Sequence, residues 1–92
     1  MRNFEQLIKG FGRIAGAAEI LKNSVEHNGS TSLTRARLDQ VGRFSKSYYE
    51  TLKNELKTIG KFSLKDQEYW NDVFCDIERE FNRLADRVER GY

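Results

Sequence analysis

Apolar residues recur along this chain at intervals that alternate between three and four, and they do so in three successive segments. Phe4, Leu7, Phe11, Ile14, Ala18, Leu21 and Val25 keep the rhythm through the first, with Ile8 and Ala15 beside the line. An α-helix turns about 100° per residue, so this spacing gathers the apolar groups on one face. Leu38, Val41, Phe44, Tyr48, Leu52, Leu56 and Ile59 form a second stripe, which drifts where consecutive steps are four. Trp70, Phe74, Ile77, Phe81, Leu84 and Val88 form the third and most regular one. Nothing breaks these stripes from within, because the 92 residues include no proline. Helix interiors exclude proline, whereas loops and sheet edges use it, so its absence agrees with the periodicity.

Two turn signals separate the stripes. His27-Asn28-Gly29-Ser30-Thr31-Ser32 is dense in loop-forming residues. Gly60-Lys61-Phe62-Ser63 offers a glycine just past one helix and a serine cap for the next. Ser63-Leu64-Lys65-Asp66 has the spacing of a capping box with Asp in place of Glu. The sequence therefore predicts helices over about 4–26, 33–59 and 64–89, each about 35–40 Å long. Short connections make neighbours antiparallel. The expected fold is all-α, a single domain over 1–92: an elongated up-down-up three-helix bundle. The alternative is an open hairpin completed by self-association, since a thin rod has much surface for its core.

Composition narrows the function. Charged residues make up 33% of the chain, so most positions face water, yet 12% are aromatic, which separates it from disordered chains. A lone cysteine, Cys75, forms no internal disulfide and fits a reducing, cytoplasmic setting; it is expected as a small buried group beside the third stripe. One histidine, His27, and one cysteine do not make a zinc site. The carboxylates of the third segment lack a histidine partner, and Arg79, Arg83, Arg87 and Arg90 stand ready to pair with them. No metal, no cofactor and no membrane span are expected, and the start of the chain, with Glu5 leading into a charged periodic segment, is unlike a secretory signal. No nucleophile–base pair is visible, so no enzymatic activity is expected.

Charge is unevenly divided. Residues 1–29 carry a net +1, residues 30–62 a net +4 and residues 63–92 a net −3, for +2 in all. Helices two and three are thus complementary, which suits their pairing within one chain or association between copies. On helix two, Arg43, Lys46, Lys53, Lys57 and Lys61 lie opposite the apolar stripe, with Arg35 and Arg37 at its start, while Asp39–Arg43 and Lys46–Glu50 are spaced for local ion pairs.

Two further features suggest contact surfaces. Gly10, Gly12 and Gly16 interrupt a helix in which each costs about 1 kcal/mol against alanine. No strand or Gly-Lys-Ser/Thr accompanies them, so a phosphate loop is not the expected reading. Close approach of a neighbour at the Gly12/Gly16 edge accounts for them, whether that neighbour is another helix or a partner, and a bend near Gly10–Gly16 is a third account. Tyr49, Tyr69 and Phe62 lie off the apolar stripes, where aromatics serve either as interface anchors or as caps on the bundle end.

The expected function is a non-enzymatic protein–protein interaction module: a small helical adaptor, inhibitor or assembly subunit. Its contact surface is expected at Gly12, Gly16, Tyr49, Tyr69 and the basic face Arg43, Lys46, Lys53 and Lys57, with another protein, or a second copy, as partner. The alternative is a nucleic-acid-binding accessory protein that uses the same basic face.

Overall fold

The structure, a computed structural model, describes residues 3–28, 32–58 and 63–90. Three helices run through them: α1 (Phe4–Asn28), α2 (Ser32–Thr58) and α3 (Leu64–Glu89), with no strand among the described residues. The expected boundaries hold to within two residues. Ile59, Gly60, Lys61 and Phe62, and the turn residues Gly29 to Thr31, lie outside the described residues.

Side-chain caps set the helix starts. Asn3 Oδ1 accepts from Gln6 N at 2.9 Å, and the Asn3 carbonyl accepts from Leu7 N at 3.0 Å. Ser63 caps α3 by accepting from Asp66 N at 3.1 Å. The Asp66 carboxylate answers differently from a full capping box: it accepts the Ser63 hydroxyl at 2.7 Å. Asp is one methylene shorter than the Glu that usually reaches back to the cap's own amide.

The bundle is up-down-up and elongated, 45 × 20 × 16 Å. Gly12 faces Tyr49, Ala18 faces Gly42 and Lys22 faces Asp39, so α1 and α2 are antiparallel. Their interface is by far the most extensive of the three. α3 lies against one face of this hairpin, parallel to α1.

The core follows the stripes. Leu7, Phe11, Ala18, Leu38 and Leu52 are wholly buried, with Phe74 and Leu84 nearly so. Each fully buried Leu or Phe contributes about 1.5–3 kcal/mol relative to an exposed one. Aromatic rings join the three helices in one run. Phe74 meets Phe11 edge-on at 5.1 Å, Phe11 meets Tyr48 at 5.5 Å, and Tyr48 meets Trp70 at 5.2 Å. Gly10 makes room for this seam, since a methyl group there would overlap the Phe74 ring.

Two expectations fail in α2 and α3. Phe44 is 49% exposed, and Ser45, with Thr34, is buried in its place. The inward line is Leu38, Val41, Ser45, Tyr48 and Leu52, which keeps the three–four alternation that Phe44 breaks. The Ser45 hydroxyl has no hydrogen-bond partner among the described residues, which costs about 1–3 kcal/mol. Cys75 is exposed, one position past Phe74 and turned away from the hairpin.

Candidate functional site

α3 covers one face of the α1–α2 hairpin, and on the other face the two helices leave an open groove of about 930 Å³. Small residues make its floor. Gly12, Ala15 and Gly42 line it, and a methyl group on Gly42 would stand 3.4 Å from the Ala18 Cβ and 3.7 Å from the Ala15 carbonyl oxygen. The helices therefore pass close enough that no large side chain fills the space between them. Tyr49 closes one end, its ring 3.4 Å from where a Gly12 Cβ would be.

Charge rims this floor. Lys9, Arg13 and Lys46 stand near the Tyr49 end, and Glu19, Lys22, Asp39 and Arg43 near the other. Asp39 is already engaged: it accepts from Lys22 Nζ across the helices at 2.9 Å and meets Arg43 Nε at 3.0 Å within α2. The Lys22 hydrogen bond holds the Asp39 carboxyl below its ordinary value, with Arg43 adding to the effect and desolvation opposing it. Lys9, Arg13 and Lys46 are exposed cations of the groove with no ion pair among the described residues. Lys53 Nζ lies 5.7 Å from the centre of the Tyr49 ring, within cation–π range, and extends the basic rim.

Of the residues singled out in the sequence, the structure brings Gly12, Arg43, Lys46 and Tyr49 together in this groove, with Lys53 beside them. Gly16 is exposed one turn from Gly12, and among the described residues nothing lies within 4 Å of where its Cβ would be. Lys57 is exposed one turn beyond Lys53, outside the groove. Tyr69 is elsewhere: it lies on α3, 60% exposed, edge-on to Trp70 at 5.4 Å. Asp39–Arg43 pairs as its spacing suggests, whereas Lys46 and Glu50 form no ion pair among the described residues.

Sequence reasoning passed over Lys9, Arg13 and Gly42. Lys9 and Arg13 share the outer side of α1 with Gly16, and Gly42 is a mid-helix glycine of the kind that drew attention in α1. Among the described residues, no three His, Cys, Asp or Glu side chains cluster as metal ligands would, and no helix is long and apolar enough to cross a membrane. Comparisons with known protein families, characterised proteins and solved structures return no match.

Proposed function

We propose that this chain is a non-enzymatic protein-binding module and that the α1–α2 groove is its docking surface. The observation that supports this reading is the pairing of a small-residue floor with a basic rim around a half-buried tyrosine. A floor of Gly and Ala lets a partner's backbone approach closely. A tyrosine held by its own helix offers contact area with little ordering cost. The cations steer an acidic partner and fix its orientation more than they add affinity. The partner that fits is an acidic amphipathic segment, laid along the hairpin where a fourth helix of a bundle would lie.

Nucleic acid is the second reading, favoured by the run of exposed cations Lys46, Lys53 and Lys57 along α2. Glu19 and Asp39 within the groove weigh against a phosphate backbone tracking it.

The test is affinity capture from source-cell lysate at moderate salt, with and without nuclease, using the wild type beside Lys46→Glu/Lys53→Glu. A protein held by the wild type after nuclease and lost by the variant supports the docking surface. A catch that nuclease abolishes makes nucleic acid the better reading. A catch that the variant keeps removes this groove from the proposal.

A further inference from the structure

Along α3, the amino-terminal half carries an acidic surface with little internal compensation among the described residues. Farther along the helix, Glu80 takes a two-pronged contact from Arg83, at 2.7 and 3.2 Å, and Asp86 meets Arg90 at 3.3 Å. Over residues 64–76 the only cation is Lys65, against Asp66, Glu68, Asp72 and Asp76. Asp66 is occupied with the Ser63 cap. Glu68, Asp72 and Asp76 are spaced by four, so they form one ridge along the exposed side of the helix. Glu68 and Asp72 form no ion pair among the described residues, and Asp76 reaches Arg79 only at 3.6 Å. Tyr69 projects beside this ridge, and Leu64 is 64% exposed at its start.

This ridge is opposite in charge to the groove's rim and short enough to lie within it. Glu68 to Asp76 rises about 12 Å, and the groove follows α1 from Lys9 to Lys22, about 20 Å. The two surfaces face opposite ways, because α3 lies on the hairpin face that the groove does not occupy. One copy therefore cannot satisfy itself. A two-fold pairing of groove on groove would oppose like charges. The arrangement that joins unlike surfaces is heterologous, groove of one copy to ridge of the next.

We propose that the α1–α2 groove receives the Glu68–Asp76 ridge of a second copy, so that the chain associates head to tail. This rests on the reading of the groove as a protein-docking surface and names one occupant for it. Lys9, Arg13, Lys46 and Lys53 of one copy face Glu68, Asp72 and Asp76 of the other. Tyr69 lies against the Gly12–Gly42 floor.

The test uses the full chain in analytical ultracentrifugation over a range of concentrations. The wild type is compared with Lys46→Glu/Lys53→Glu and with Glu68→Lys/Asp72→Lys, each first shown by circular dichroism to be folded. Lys46→Gln/Lys53→Gln replaces the first variant if charge reversal unfolds it. The expected result is mass that grows with concentration for the wild type and falls with added salt. Either variant alone should associate at least about tenfold more weakly. An equimolar mixture of the two should recover association, because the intact ridge of one meets the intact groove of the other.

A wild type that stays monomeric overturns the proposal, as does a variant that associates like the wild type or a mixture that fails to recover. If the wild type is monomeric but loses a captured protein on Lys46→Glu/Lys53→Glu, head-to-tail association is excluded and the groove reading stands with a different occupant.

Discussion

The two faces of the α1–α2 hairpin are built from different materials. The face under α3 is aromatic: Phe11 and Tyr48 meet Phe74 and Trp70 in one run of rings, and Gly10 clears space for Phe74. The open face has a floor of Gly12, Ala15 and Gly42 and a rim of charge. Both use glycine, but for different ends. Gly10 admits a side chain of the same molecule, whereas Gly16 meets nothing among the described residues. The contrast shows how one helix serves two surfaces: large rings where the fold must hold, small residues and cations where a surface is left free.

Four substitutions sharpen that contrast, from the largest expected effect downward. Phe74→Ala should lower stability by about 3–5 kcal/mol in chemical denaturation, since it empties the centre of the aromatic seam. A loss under about 1 kcal/mol would mean that the rings are not what holds α3. Gly10→Ala should destabilise by about 1–3 kcal/mol, because the added methyl displaces a buried ring. Gly16→Ala should do the opposite and stabilise by up to about 1 kcal/mol, having helix propensity to gain and no neighbour to strike. If that same change also weakens partner capture, the bare glycine edge serves the partner; equal capture would confine its role to the chain itself.

Asp39→Asn should have the smallest effect and a defined pH window. The Lys22 hydrogen bond depresses the Asp39 pKa in the folded state. Its stabilisation is therefore present above the ordinary carboxylate value, about 4, and is lost as pH falls through the lower folded value. Denaturation midpoints of wild type and variant should differ at neutral pH and converge only in that acidic range.

The helices and most of the core were legible because periodicity reports which face of a helix is dry. Phe44 and Ser45 mark the limit of that signal. A list of apolar residues passes over a buried serine, so the stripe was drawn through the adjacent phenylalanine and appeared to drift. Only part of the groove was legible, for a similar reason: Gly12, Tyr49, Arg43 and Lys46 stand out on one helix at a time, whereas a groove belongs to two. The missing information was register. A hairpin that turns near residue 30 sets each α1 residue against an α2 residue about equally far from the turn, which brings Gly12 to Tyr49, Ala18 to Gly42 and Lys22 to Asp39. That rule would have found Gly42 from the sequence. The Gly16 edge stayed open because none of the described residues supplies the neighbour.

The order of the helices along the chain has a consequence for how the molecule is made. α1 and α2 are neighbours in sequence and share the largest interface, so most interhelical contacts join segments close together along the chain. Contacts of that kind form early and fast. Phe74 must return to Phe11 from more than sixty residues away. During synthesis both hairpin helices are made before α3. Until α3 packs, the side of Phe11 and Tyr48 that it covers has no Phe74 or Trp70 ring against it, and Phe74 at Gly10 closes that side.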